Sequence, residues 1–122
     1  MRVSKKFLIT EQVVIDFAKI SNDYNPIHLD EEYAKNTIFE KRIAHGMLLA
    51  SYISGLIAND FPGEGSIYLE QNLSFKKPCY IGDEVEVVVS LIEKTKNKYK
   101  LSTTVKSGEN ILITGEALIL KK

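Results

Sequence analysis

Positions 23 to 28 read Asp-Tyr-Asn-Pro-Ile-His. A carboxylate with an ordinary pKa of about 3.9 and an imidazole at about 6.5 stand at the two ends of this run. Together they offer a base and an acid within reach of one water molecule. Pro26 stiffens the connection and holds Asn25 extended, so Asp23 and His28 keep a defined relation. Asn25 adds an amide that orients either the imidazole or the loop backbone. The competing reading is an ordinary polar turn, since Asp is a common turn former and a lone His is more often structural than catalytic.

A second run, Ala44-His45-Gly46-Met47 and on to Gly55, raises a similar choice. Read plainly, it is a core helix whose glycine eases a sharp entry. The chemical reading places the Gly46 N–H at a helix N-terminus, backed by the positive end of the dipole. A donor there holds a carbonyl oxygen and stabilises the negative charge it gains during reaction. Gly46, Ala50 and Ser54 share one narrow face at i, i+4 spacing. His45 reads as a structural histidine, with ligand contact as the alternative. Other chemistries have less behind them. Asp23 and His28 make an incomplete zinc set, so no metal is expected. Cys79 has nothing nearby in sequence to lower its pKa, and no G-x-S-x-G elbow is present.

The elements around these runs follow from periodicity. A first strand is predicted over Val3 to Ile9. Thr10 caps the next helix, with Glu11 in its first turn and Val13, Phe17 and Ile20 on its apolar face, ending near Ser21 and Asn22. A short helical turn follows over Asp30 to Lys35. The most apolar helix is predicted over Gly46 to Asn59, apolar nearly all round and therefore buried nearly all round. Beyond Phe61-Pro62-Gly63 the period drops to two. Ile67 to Phe75, Val85 to Leu91, Tyr99 to Val105 and Ile111 to Leu120 read as strands, with turns at 81–83, 96–98 and 107–110. The predicted architecture is α+β: four or five antiparallel strands wrapped around one long helix. Such a sheet leaves edges and a helix flank open, so a homodimer is expected.

Composition excludes several partners. The chain has 122 residues, which sets the expectation of one domain over 1–122. Lys plus Arg and Asp plus Glu balance at 16 each, so no nucleic-acid partner is expected. Lys94, Lys96, Lys98 and Lys100 read as a solvated turn and strand face. A single cysteine fits a reducing compartment. No membrane segment is expected either, because the apolar run 44–58 is interrupted and shorter than the roughly 18 residues of a span. A cytoplasmic location is the expectation.

The two chemical runs together resemble the MaoC-like dehydratase family, in particular its (R)-specific enoyl-CoA hydratases with the hot-dog fold. The resemblance covers about Phe17 to Val85. The family's loop signature matches at Phe17, Ser21, Asp23, Asn25, Pro26, Ile27 and His28, with Ala34 following. Asn22 stands where the family has glycine, and asparagine tolerates left-handed backbone better than other non-glycine residues. The resemblance implies hydration of a trans-2-enoyl-CoA to an (R)-3-hydroxyacyl-CoA. It gives Asp23 and His28 the water and the Gly46 N–H the thioester carbonyl, and leaves open which of the pair is the base. Asn25 would orient the loop or imidazole, and Ser54 is a weaker candidate for a polar contact nearby. An acyl tunnel beside the helix has Met47, Leu49 and Ile53 as candidate lining. Lys76 and Lys77 are candidates for the CoA phosphates. No cofactor is implied, CoA being part of the substrate. The alternatives are a 3-hydroxyacyl-carrier-protein dehydratase, a non-catalytic acyl-thioester-binding module and, on fold alone, a thioesterase.

Overall fold

A computed structural model describes residues 1–122. The first strand, β1, spans Arg2–Leu8. Helix α1 spans Glu11–Ser21, opened by Thr10, whose side chain accepts from the Val13 N–H at 3.1 Å. It closes on Asn22 in the left-handed region, φ 62° and ψ 26°, which asparagine occupies at modest cost. Two short helices follow, α2 over Pro26–Leu29 and α3 over Glu31–Lys35. Proline at the first position of α2 loses no hydrogen bond, because that N–H has no intrahelical partner anyway. Asp30 closes α2 with its N–H on the Pro26 carbonyl and opens α3 by accepting from Tyr33 N–H. Arg42 ties this overhang together, reaching Glu11 at 3.0 Å and Glu31 at 2.9 Å.

Helix α4 spans Gly46–Asn59 and packs against β1, β4 (Glu84–Thr95) and β5 (Lys98–Ser107). The sheet is completed by β2 (Ile67–Gln71), β3 (Ser74–Phe75) and β6 (Asn110–Leu120). Its order is β1-β4-β5-β6-β2, with β3 also on β6, and every pairing is antiparallel. Val87 faces Val105 and Leu101 faces Ala117 across the ladder, which sends one residue in two toward α4. Leu49, Ile53 and Ile57 of the helix meet that wall fully buried. Each such side chain contributes roughly 1.5–3 kcal/mol. This is the expected α+β arrangement, an antiparallel sheet wrapped around one long helix. No helix is long and apolar enough to cross a membrane.

Three expectations change. Ile20 is 85% exposed, and the buried face of α1 is Val14 and Ala18, flanked by Val13 and Phe17. The last turn, where Lys19 to Asn22 are all exposed, stands clear of the core. Helix α4 is also not covered all round: Met47, Ser51, Ser54 and Ala58 form an exposed stripe, because the sheet wraps only one side. Finally, the predicted strand 67–75 breaks at Asn72 and Leu73, and Ile67, Leu69 and Phe75 are exposed despite their alternation. Asn72 crosses closely over β6 there. A Cβ on Gly115 would stand 2.1 Å from the Asn72 carbonyl oxygen, so only glycine allows the crossing.

Candidate active site

Asp23 hangs from the turn that Asn22 makes possible, where its Oδ1 accepts from the Asn25 N–H at 3.2 Å. Asn25 in turn caps α2 by accepting from the Ile27 N–H at 3.3 Å. Of the two roles open to Asn25, the side chain therefore serves the loop backbone. His28 sits on α2 and is buried, 8% exposed. Its Nδ1 lies 2.7 Å from the Ile43 carbonyl oxygen. A carbonyl only accepts, so Nδ1 carries the proton and Nε2 of the neutral ring keeps a lone pair. Burial pushes His28 below the ordinary imidazole value against the pull of the Ile43 carbonyl; His45 adds to the lowering and Asp23 opposes it. The neutral, proton-accepting ring is thereby favoured.

A carboxylate oxygen of Asp23 and one ring nitrogen each of His28 and His45 lie within 4.8 Å of one another. Two acceptors bridged by one water, with arms of about 2.8 Å, stand roughly 4.5 Å apart. A water shared by Asp23 and His28 fits within that bound. His45 brings a third ligating group to the cluster, one more than the sequence suggested. Both imidazoles already donate an N–H to backbone, His28 to Ile43 and His45 through Nε2 to Asp23 at 3.0 Å.

Asp23 and His28 open into a cavity of about 450 Å³, within the roughly 300–1,000 Å³ of small-molecule sites. Gly46, the first residue of α4, is on its wall, so the dyad and the helix N-terminus share one space. Thr10, Asn25 and Asp30 cap the three other helices with side chains, whereas His45 makes no cap bond to α4. The first-turn N–H groups of α4 have no side-chain acceptor. A Cβ on residue 46 would stand 2.6 Å from the Phe75 ring, so glycine here also admits that ring.

Met47, Leu49, Lys76 and Lys77 line the cavity. Ile53 and Ser54 do not. Ile53 is fully buried in the core, and Ser54 is exposed on the open stripe of α4. Helical spacing placed Ser54 on the face of Gly46, yet the cavity reaches only the first turn. The wall also holds Phe39, Ile43, Phe75, Cys79 and Ile113, which sequence reasoning missed. Burial, with Asp83 adding, pushes the Cys79 thiol up to about 12, so it stays protonated.

The model of the family described as MaoC like domain matches residues 1–112. An (R)-specific enoyl-CoA hydratase of Aeromonas caviae is 48% identical over 121 residues, spanning 97% of this chain and 89% of the relative. A mitochondrial 3-hydroxyacyl-[acyl-carrier-protein] dehydratase of Arabidopsis thaliana is 41% identical over 83% of this chain and 63% of its own length. Among solved structures, an (R)-hydratase from A. caviae superposes with a TM-score of 0.97 at 40% identity, covering 100% of this chain and 95% of that one. The unliganded R-hydratase of Pseudomonas aeruginosa gives 0.94 at 40% identity, covering 99% of this chain and 79% of that one. The chain belongs to the MaoC-like domain family, with its hot-dog fold.

Proposed function

We propose that this protein is an (R)-specific enoyl-CoA hydratase, adding water reversibly to trans-2-enoyl-CoA to give (R)-3-hydroxyacyl-CoA. The observation that carries this reading is the convergence of Asp23, His28 and Gly46 on one cavity. In the reaction, the thioester carbonyl accepts from the Gly46 N–H, where the dipole of α4 stabilises the enolate-like charge. The water between Asp23 and His28 attacks C3. His28 Nε2 takes one of its protons while the Asp23 carboxylate holds the other hydrogen. The electron pair of the double bond moves toward the carbonyl, and the proton on Nε2 returns to C2. Dehydration retraces these steps. Met47 and Leu49 supply apolar wall for the acyl chain. Lys76 and Lys77 supply positive charge for phosphates of the carrier.

The test is incubation of purified protein with crotonyl-CoA, following loss of the enoyl-thioester absorbance, then chiral analysis of the product. Release of free CoA would point to a thioesterase, and formation of the (S)-alcohol would contradict the assignment. The similarity to a carrier-protein dehydratase supports a second substrate handle. Faster turnover of a carrier-protein thioester than of its CoA counterpart would shift the assignment to that class.

The reading includes a homodimer, supported by the open stripe of α4 and by exposed Ile67 and Leu69 on edge strand β2. A monomer in light scattering at micromolar concentration would count against it. It also includes a cytoplasmic location, which fits the free buried thiol of Cys79. Recovery of the native protein outside the soluble cell fraction would oppose that.

A further inference from the structure

We infer that His45 is a positioning residue, the strut that holds the water-activating half of the site in register with the carbonyl-binding half. The inference rests on the hydratase reading. His45 immediately precedes Gly46 and is the N-cap residue of α4, so its backbone belongs to the carbonyl-binding half. Its side chain belongs to the other. The Nε2–H donates to the Asp23 carbonyl at 3.0 Å, a tie across 22 residues of chain. Its ring stacks on His28, with centroids 3.8 Å apart and planes at 27°. One side chain thus holds the backbone that carries the carboxylate and the plane of the imidazole.

A plain packing role explains less. His45 is 1% exposed, and its Nδ1 has no hydrogen-bond partner. A buried polar atom without a partner costs stability, so an apolar ring would fill this space better if filling were all that mattered. An N-cap position also favours Ser, Thr, Asp or Asn, whose side chains close the first-turn N–H groups. His45 gives up that local bond for one to a distant loop. Phe17 meets it edge-on at 5.0 Å, fixing the ring from the α1 side. The two sequence runs that flank the site therefore meet at this one residue.

His45→Phe keeps volume and stacking but removes the Nε2–H donor. His45→Gln loses the ring but returns an amide N–H at similar reach. Packing alone predicts that Phe outperforms Gln; a strut predicts the reverse. For crotonyl-CoA hydration, kcat should fall about 10²-fold in His45→Phe, the order of loss for a slight misplacement of reacting groups. KM should stay near wild type, because Gly46 keeps its place on α4. His45→Gln should recover most of kcat. Amide hydrogen exchange over residues 21–28 gives a readout independent of turnover, faster in Phe and near wild type in Gln. Should His45→Phe fail to fold, His45→Asn, an amide too short to reach Asp23, supplies the same contrast with Gln. Wild-type kcat and exchange in the Phe variant, or a Gln variant no better than Phe or Asn, would overturn the strut. A wild-type protein inert toward crotonyl-CoA would sink the hydratase reading instead, and exchange would still decide the strut.

Discussion

The overhang of residues 10–45 and the sheet with its central helix are held by different physics. In the overhang, order comes from the Arg42 ion pairs to Glu11 and Glu31 and from single side-chain-to-backbone bonds: Thr10 on Val13, Ser21 on Phe17, Asp23 on Asn25, Asn25 on Ile27, Asp30 on Tyr33. Each of these backbone bonds contributes about 1 kcal/mol, and few apolar side chains are buried there. In the sheet, a repeating ladder carries Val85, Val87, Val89, Leu101 and Val105 into a continuous apolar core. The overhang presents Asp23 and His28 to the cavity, and the core presents Gly46. Stability should therefore reside in one region and water activation in the other, with α4 as the common boundary.

The strongest challenge to that division crosses the two regions. Asp23→Asn preserves Oδ1 for the Asn25 N–H, and His28→Asn keeps a donor near the Ile43 carbonyl while deleting Nε2. Each should lower kcat by about 10² to 10⁴, the usual span for acid–base groups, Asp23→Asn with only a small change in melting temperature and His28→Asn with a smaller loss than His28→Ala. His28→Ala is a poorer probe, because His28 is buried and stacked and its loss leaves a hole. Ile53→Ala should do the opposite, costing about 2–5 kcal/mol in denaturant unfolding while the folded fraction turns over normally. Equal losses of stability in both sets of variants would dissolve the distinction.

How much of each region was legible follows from the same difference. The core helix was readable to its ends, Gly46 to Asn59, because composition and a following Pro-Gly pair mark it. The left-handed Asn22 followed from the family resemblance, because asparagine stands there in place of a glycine and tolerates that conformation. Alternation misled at Ile67 to Phe75, since a period of two reports two faces but not what covers either one. The loop motif gave Asp23 and His28 by type. It gave no hint of the Ile43 carbonyl, a backbone group that any residue would supply. His45 looked like a lone core histidine because its partners lie 17 and 22 positions away, a tertiary fact that local spacing does not encode. Ser54 was placed by the helical wheel, which knows direction around an axis but not how far along it a cavity extends, and Ile53 came in as candidate lining of the tunnel that the family resemblance implied.

A milder test acts at the boundary itself. Gly46→Ala retains the N–H but puts a methyl against the Phe75 ring edge. Phe75 is 53% exposed, so it can move aside, and the protein should stay folded. The displaced ring should disturb the proposed carbonyl site, and kcat/KM for crotonyl-CoA should fall about 10-fold, less than the 10²–10³ typical of deleting such a donor outright. Phe75→Ala in the same chain should return part of the loss, a coupling measurable by a double-mutant cycle. Additive effects of the two substitutions would mean that the ring and the glycine do not share the site.

The smallest expected effect sharpens the comparison most, because one buried group of the overhang then registers in both activity and stability. His28 is lowered from the ordinary imidazole value chiefly by burial. In the unfolded chain it titrates near 6.5, so between the folded and unfolded values the unfolded state binds more protons. Stability must then rise with pH through that window and fall as pH drops below about 6.5, levelling off below the folded value. The same shift keeps Nε2 free to accept a proton below 6.5, so the acid limb of kcat/KM should lie below that pH. Melting temperatures of wild type and His28→Asn, compared from pH 5 to 8, isolate this contribution from that of other titrating groups. The difference should shrink or reverse toward acid in favour of the variant. An acid limb above 6.5, or parallel melting curves, would mean that the imidazole feels water instead of the interior, and that the overhang is looser against α4 than its contacts indicate.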